Sequence, residues 1–291
     1  MKILVVGLGG VGGYIAANIK KAGFDIDGVA RGEHLKAIKE NGLKIIEDDK
    51  TYTVDLDVYQ IDELKKLYDV VIFCVKSYDL EDACKNVLKN IKNDALIVTF
   101  LNGVGYFEKL SALCDNEISQ GVIYILSHIK SPGVIRKKGK VFAAVFAEDK
   151  KGILKEIFKK SSLRYKISSD ITKDIWKKYI FISAFANLTS YYDKSIYEVY
   201  NQHTTQTKEV LCEIAKIAKA KGIDIDEEVE KSLKTASSLP KDASTSMHKD
   251  FKNSKKTELE ALSGYLVNEA KRLNINIPHI SKIYAKLKMK L

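Results

Sequence analysis

The sequence predicts an α/β N-terminal Rossmann-like domain with a parallel sheet, followed by an all-α C-terminal domain. Three observations predict it: short apolar runs alternate with helical patterns up to about Ser168, a glycine-rich turn follows the first run, and helical periodicity fills the remainder. We expect the domains at residues 1–168 and 169–291. A chain of 291 residues is long enough for two domains that each bury a core.

Apolar runs rich in β-branched residues alternate with helices of the length that βαβ units need. The predicted strands are Ile3–Val6, Asp25–Ala30, Val70–Val75 and Ala95–Phe100, and the helices between them are Val11–Lys21, Glu33–Glu40 and Leu80–Lys89. Three further strands, expected as hairpin additions at the sheet edge, are Ile118–Ile129, Gly133–Arg136 and Val141–Phe146. The long helices predicted after them are Thr172–Tyr192, Ser195–Lys221, Asp226–Ser238, Lys256–Leu273 and His279–Lys290.

The basic composition does not by itself indicate a nucleic-acid partner. The net charge is +10, but the lysines are spread along the chain among 38 acidic residues. The densest basic run is Arg136, Lys137, Lys138 and Lys140, in a predicted hairpin without a nucleic-acid-binding motif. The four cysteines lack the spacing of a metal knuckle, so we expect free thiols in a reducing compartment and no metal site.

The first residues resemble a secretory signal in their lysine and apolar run. Five glycines between Gly7 and Gly13 fit a phosphate-binding loop better than an apolar helix, so a cytoplasmic protein is expected. No later segment reaches the roughly 18 apolar residues of a membrane span, and no membrane partner is expected.

A dinucleotide-binding fingerprint, G-x-G-x-x-G, follows the first strand and opens the first helix. Gly7 would allow the tight turn, Gly9 the approach of the pyrophosphate and Gly12 close packing of helix on strand. The amides at the helix start would bind phosphate. The predicted cofactor loop consists of Gly7, Leu8, Gly9, Gly10, Val11 and Gly12.

The end of the second predicted strand indicates which nicotinamide cofactor is bound. An NAD-binding fold carries an acidic residue there for the ribose 2′-hydroxyl, whereas this chain has Ala30-Arg31-Gly32, with Asp25 and Asp27 several residues too early. The guanidinium of Arg31 can form two hydrogen bonds to a 2′-phosphate. NADPH is therefore the predicted cofactor.

Several segments together resemble the ketopantoate reductase (2-dehydropantoate 2-reductase) family over essentially the whole chain. They are KILVVGLGGVGG, ARGEHLKAIKENGLKI, FCVKSYDL, TFLNGVG, WKKYIFISAFANLTS and SMHKDFKNSKKTELEALSGYLV. The resemblance implies NADPH-dependent reduction of ketopantoate to pantoate, as in pantothenate and coenzyme A biosynthesis. It also implies that Lys76 lines the cofactor and substrate cleft and that Asn102 lies beside the nicotinamide.

The resemblance further assigns Lys178 as the catalytic lysine. An ammonium group can stabilise the alkoxide that develops during reduction of a 2-oxo group and can donate the proton. Lys177 remains the competing assignment, because neighbouring helical residues point about 100° apart and periodicity does not decide between them. Ser246 and Glu258 match a family serine that binds the substrate carboxylate and a family glutamate that receives a substrate hydroxyl.

The chain departs from the family pattern on the helix that carries the lysine. Family members present asparagines four and eight residues after it, where this chain has Ile182 and Ala186, and Asn187 is one position away. The natural 2-oxo acid therefore stays open. Alternatives are a reductase of another 2-oxo acid, a β-hydroxyacid dehydrogenase and a non-catalytic NADPH-sensing module. The expected partner is a small 2-oxo acid, and a homodimer is compatible with the family.

Overall fold

A ten-stranded sheet is the core of the N-terminal half. Its strands are β1 (Lys2–Val6), β2 (Asp25–Val29), β3 (Leu43–Glu47), β4 (Lys50–Val54), β5 (Asp57–Tyr59), β6 (Tyr68–Phe73), β7 (Ile91–Thr99), β8 (Glu117–Ser131), β9 (Val134–Ala147) and β10 (Tyr165–Ser168). The order is β4-β3-β9-β8-β7-β6-β1-β2-β5, and β10 pairs with β9. The six strands from β5 to β8 in this order are parallel neighbours, as the βαβ pattern predicts.

Alternate residues of the central strands face opposite sides of the sheet, and both sides are buried. On one side Ile3, Val5 and Ile72 pack with Ile15 of the first helix, and on the other Leu4 and Val71 belong to a second apolar cluster. A strand buried on both faces must be apolar at every position, which explains the unbroken runs. The predicted Rossmann-like fold is thus confirmed.

The position of the β8–β9 hairpin differs from the prediction. The two strands pair antiparallel, but they lie inside the sheet and not at its edge, because β3 pairs with the outer side of β9. The segments Gly133–Arg136 and Val141–Phe146 belong to one strand, β9. Strands β3, β4 and β5 were not predicted, since their residues alternate with charged, exposed positions.

Twelve α-helices complete the fold. Five accompany the sheet: α1 (Gly10–Lys21), α2 (Gly32–Asn41), α3 (Leu80–Val87), α4 (Tyr106–Ser111) and α5 (Ile153–Lys160). Seven follow it: α6 (Ile171–Tyr192), α7 (Ile196–Gln202), α8 (Thr204–Ala220), α9 (Glu227–Ser238), α10 (Ser246–Lys252), α11 (Tyr265–Arg272) and α12 (Pro278–Lys288). A π-helical segment, Glu260–Gly264, precedes α11.

Two predicted helices are shorter or broken. The predicted helix Ser195–Lys221 is two helices, α7 and α8, that meet at His203. The predicted helix Lys256–Leu273 begins later, so Glu258 precedes the helical turns and does not lie on them. Helix α10 was not predicted, because it is only seven residues long and begins in a run of serine and threonine residues.

The computed structural model describes residues 1–291 and separates into two units. The first comprises residues 1–101 and 105–171, and the second comprises residues 102–104 and 172–291. The division at 171/172 lies three residues after the predicted boundary at 168/169, and the short segment 102–104 groups with the helices. No helix combines the length and apolar character that crossing a membrane would require. All four cysteines are free.

Candidate active site

The glycine-rich turn lies between β1 and α1, and its backbone is fixed by β2. The amides of Gly7 and Leu8 both donate to the Val29 carbonyl, each at 3.1 Å. Gly7 has φ +97°, a conformation that residues with a side chain rarely adopt. A Cβ there would also lie 2.9 Å from the Cys74 carbonyl oxygen, which is too close. The sharp turn at this position therefore requires glycine.

The same turn leaves room for a phosphate group. A Cβ on Gly12 would lie 2.1 Å from the Gly7 carbonyl oxygen, whereas a Cβ on Gly9 would meet nothing within 4 Å. The open side of Gly9 adjoins the start of α1, where the first amides of a helix have no partner within it. These residues fit a dinucleotide pyrophosphate.

His34 supports the glycine-rich turn and was missed in the sequence. Its Nδ1 accepts a hydrogen bond from the Gly133 amide at 3.0 Å, so Nε2 carries the proton and donates to the Leu8 carbonyl at 2.9 Å. Burial lowers the pKa of the imidazole, and the bond to Leu8 opposes this. His34 thus joins the turn to the β8–β9 hairpin in its neutral form. Its position in a helical pattern gave no sign of this role.

Arg31 follows β2 by two residues, as predicted, and it has an acidic neighbour. Its Nη2 donates to Asp79 Oδ2 at 3.1 Å, with 82% of the Arg31 and 30% of the Asp79 side chain exposed. The acids considered on β2 lie elsewhere: Asp27 is fully buried and accepts from Lys66 and Tyr68, and Asp25 pairs with Lys2.

Lys76 lies three residues beyond β6, where ligands of an open α/β sheet bind. It precedes a 3₁₀ turn, Ser77–Asp79, and its carbonyl accepts from the Asp79 amide at 2.9 Å. A single turn therefore carries both the predicted cleft lysine and the carboxylate that meets Arg31.

The second unit brings two predicted residues, Asn102 and Glu258, close to Lys178. The Lys178 ammonium donates to Asn102 Oδ1 at 2.9 Å. Burial lowers the pKa of Lys178 to about 8, and the negative charge of Glu258 opposes that shift. Glu258 itself is only 6% exposed. A lysine with such a pKa exchanges its proton near neutral pH.

Lys177 has a different environment. Its ammonium lies 3.7 Å from the Glu227 carboxylate, which is 58% exposed. The two adjacent lysines therefore face different partners, as their 100° separation on a helix requires. Of the two lysines, Lys178 is the one that contacts Asn102.

Ser246 forms no hydrogen bond with Lys178, Asn102 or Glu258. It is the first residue of α10 and is exposed. The cap of this helix is Thr245, whose hydroxyl accepts from the His248 amide at 3.3 Å. The bond places Ser246 in the first turn of α10, but nothing joins its hydroxyl to Lys178 or Glu258.

Asn187, which lies one position after the second family asparagine, is buried in a network of hydrogen bonds. It is 1% exposed, and its amide donates to the carbonyls of Ser183 at 2.8 Å and Leu262 at 3.3 Å. The Ser263 hydroxyl donates to Asn187 Oδ1. These bonds tie α6 to the π-helical segment that follows Glu258. Ala186, at the position of a family asparagine, is buried at 1% exposure.

Family models cover nearly the whole chain. The model described as Ketopantoate reductase PanE/ApbA matches residues 3–148, and the model of its C-terminal part matches residues 170–291. An uncharacterized oxidoreductase of Bacillus subtilis, YkpB, is 31% identical over 99% of this chain and 98% of its own length. A 2-dehydropantoate 2-reductase of Pyrococcus horikoshii is 27% identical over 100% of this chain and 97% of its own.

Solved structures of similar fold carry different names. A PanE/ApbA family ketopantoate reductase from Ralstonia eutropha superposes with a TM-score of 0.94 at 24% identity, covering 100% of this chain and 98% of the other. A D-mandelate dehydrogenase solved with NADH and anilino(oxo)acetate has a TM-score of 0.91 at 22% identity, with coverage of 100% and 98%. At these identities the likeness concerns the fold.

Proposed function

Since the chain belongs to the ketopantoate reductase family, a family of oxidoreductases that use a nicotinamide dinucleotide, we propose that it reduces 2-dehydropantoate (ketopantoate) to pantoate with NADPH. The observation that carries this proposal is the Lys178 ammonium, bonded to Asn102 at 2.9 Å. Its pKa of about 8 suits proton donation near neutral pH. The glycine-rich turn and Arg31 are the proposed holders of the cofactor.

Lys178 would act as general acid. NADPH held by the glycine-rich turn and Arg31 would supply a hydride for C2 of the 2-oxo acid, and negative charge would then develop on the C2 oxygen. The Lys178 ammonium donates a hydrogen bond to that oxygen and then transfers its proton to it, giving the 2-hydroxy acid. Asn102 accepts from Lys178 and so fixes where the ammonium points. A positioned proton donor of this kind contributes about 10²- to 10⁴-fold to the rate.

Glu258 would have two effects. Its carboxylate would accept a hydrogen bond from the hydroxyl of ketopantoate. Its charge opposes the lowering of the Lys178 pKa. Ser246 is the proposed partner of the substrate carboxylate, and Lys76 is proposed to line the cleft. We further propose domains at 1–168 and 169–291, a cytoplasmic location and a homodimer, in keeping with the family.

A second candidate substrate is a 2-oxo acid with an apolar side chain. Ile182 and Ala186 replace two polar family positions on α6, so the side chains at these positions can form no hydrogen bond with a substrate hydroxyl. The D-mandelate dehydrogenase of similar fold was solved with an anilino-substituted oxoacetate. An apolar 2-oxo acid therefore competes with ketopantoate as the natural substrate.

The test is NADPH oxidation with ketopantoate, 2-oxoisovalerate and phenylglyoxylate, followed by identification of the products. Ketopantoate should give the highest kcat/KM and pantoate as product. Oxidation with phenylglyoxylate but none with ketopantoate would transfer the assignment to the second candidate. The absence of oxidation with all three acids would contradict the reductase proposal.

A further inference from the structure

The charge pair between Arg31 and Asp79 places an acid at the point where the cofactors differ. NADPH and NADH are distinguished only by a 2′-phosphate or a 2′-hydroxyl on the adenosine ribose, and Rossmann folds read this group beyond the end of β2. We infer that Asp79 is a specificity-determining residue, which opposes the 2′-phosphate of NADPH and accepts a hydrogen bond from the 2′-hydroxyl of NADH. The inference rests on the proposed binding of a nicotinamide dinucleotide at the glycine-rich turn.

The topology explains how a residue distant in sequence reaches this point. Strands β6, β1 and β2 are parallel neighbours, so their carboxyl ends share one edge of the sheet. Arg31 lies two residues after β2, and Asp79 lies six residues after β6. The 3₁₀ turn between Lys76 and Asp79 fixes the backbone at the acid. The pair spans 48 positions of sequence.

Asp79 does not cap the helix that it precedes, although its position would allow it to do so. It is the N-cap residue of α3, a place where aspartate normally accepts a hydrogen bond from the backbone of the first turn. Its side chain makes no such bond. Its Oδ2 instead accepts from Arg31 Nη2 at 3.1 Å. The carboxylate is thus directed away from the helix and toward the readout residue.

The surroundings leave space for a ribose substituent. Arg31 is the N-cap residue of α2 and likewise makes no side-chain cap bond, and 82% of its side chain is exposed. At Gly32, which follows it, an added Cβ would meet nothing within 4 Å. A substituent at this point can contact the guanidinium, the first amides of α2 and the Asp79 carboxylate.

The two cofactors should respond to Asp79 in opposite ways. A 2′-phosphate carries about 1.5 to 2 negative charges at pH 7, and Asp79 adds another close to it while occupying a donor of Arg31. A 2′-hydroxyl can instead donate to the carboxylate, as it does to the acid of NAD-binding folds. Arg31 alone predicts a strong preference for NADPH, whereas the pair predicts a reduced one, with NADH retained as a usable cofactor.

The test is Asp79→Asn, which removes the charge and keeps the size. We expect the Kd of NADPH to fall by about five- to thirtyfold, which corresponds to about 1 to 2 kcal/mol at 1.4 kcal/mol per tenfold. The Kd of NADH should rise by about two- to tenfold, because a charge-assisted bond becomes a neutral one. Both constants can be measured by the fluorescence of the bound reduced nicotinamide.

Glu81→Gln is the matched control. Glu81 lies in the first turn of the same helix and pairs with Lys109 at 2.8 Å, so this variant removes an equal charge without touching Arg31. It should leave the ratio of the two Kd values within about twofold of the wild-type ratio. An equal change in both cofactors for Asp79→Asn, or the same ratio shift in Glu81→Gln, would overturn the role of Asp79.

The variant Arg31→Ala separates this inference from the proposed function. If Arg31→Ala weakens NADPH selectively while Asp79→Asn leaves the ratio unchanged, the inference fails and the NADPH proposal stands. If Asp79→Asn shifts the ratio as expected but Arg31→Ala weakens both cofactors equally, Asp79 is supported and Arg31 is not the phosphate-binding residue. If the wild-type protein binds neither NADPH nor NADH, both the proposed function and the inference are contradicted.

Discussion

Each unit of the molecule contains a cation and a carboxylate at its candidate site, and the two pairs differ in burial. Arg31 and Asp79 are 82% and 30% exposed, so water screens their attraction and the pair is easily opened. Lys178 is largely buried beside Glu258, which is 6% exposed, and burial lowers the Lys178 pKa to about 8. An exposed pair can select a ligand, whereas a buried pair changes proton chemistry.

The largest expected effect concerns the buried cation. Lys178→Ala should lower kcat by about 10²- to 10⁴-fold with the Kd of NADPH nearly unchanged, because a positioned proton donor is lost. Lys177→Ala is the control, since its ammonium lies near Glu227 and not near Asn102. Steady-state kinetics with ketopantoate measures both. A larger loss in Lys177→Ala would assign the proton donor to Lys177.

Removing the buried carboxylate should reduce discrimination between substrates. We expect wild-type kcat/KM to favour ketopantoate over 2-oxoisovalerate by about tenfold to a few hundredfold, or about 1.4 to 3.4 kcal/mol, because only ketopantoate offers Glu258 a hydroxyl. In Glu258→Gln this advantage should shrink. An unchanged advantage would mean that another residue receives the hydroxyl.

For the exposed cation the expected effect lies in binding. Arg31→Ala should weaken NADPH about 10- to 150-fold and hardly affect NADH, because a charge-assisted hydrogen bond contributes about 1.5 to 3 kcal/mol. Because Asp79 occupies one donor of Arg31, we expect the loss of NADPH affinity to lie in the lower part of this range. Titration of both cofactors checks it, and equal losses would refute phosphate readout by Arg31.

The smallest expected effect concerns the buried hydrogen bonds of Asn187, which join α6 to the π-helical segment after Glu258. Asn187→Ala should lower the free energy of unfolding by about 1 to 3 kcal/mol, since buried hydrogen-bonding groups on Ser263 and Leu262 lose a partner. Asn201→Ala, which removes an exposed bond to the Tyr197 carbonyl, should change it by less than about 0.5 kcal/mol. Urea unfolding distinguishes them, and equal values would argue against the network.

Local patterns in the sequence were sufficient for the fold class, the glycine-rich turn and the position of Arg31. Buried parallel strands and the helix that follows the first of them leave periodic signals along the chain. Strands β3 to β5 leave weak ones, because they are short and partly exposed. The π-helical turn after Glu258 gives none, since it is stabilised by bonds to Tyr179, Ser183 and Asn187 of α6.

Contacts between residues that are distant along the chain could not be predicted from the sequence. The prediction of NADPH assumed that no acid lies near Arg31, but the fold brings Asp79, which follows β6, to 3.1 Å from the Arg31 guanidinium. The choice between Lys177 and Lys178 likewise required Asn102, 76 positions away, which the fold places 2.9 Å from the Lys178 ammonium. Their roles in binding and catalysis remain predictions.

The pH dependence of kcat/KM for ketopantoate at saturating NADPH tests most directly whether Lys178 is a buried general acid whose pKa is raised by Glu258. Reduction needs the protonated amine, so the rate should be constant at low pH and fall above about pH 8, where Lys178 loses its proton. Because the charge of Glu258 raises this pKa, Glu258→Gln should move the falling limb to lower pH, whatever its effect on the plateau. Lys177→Ala should leave the limb in place. A wild-type limb near the ordinary lysine value of about 10.4, or one that Glu258→Gln does not move, would contradict these roles of Lys178 and Glu258.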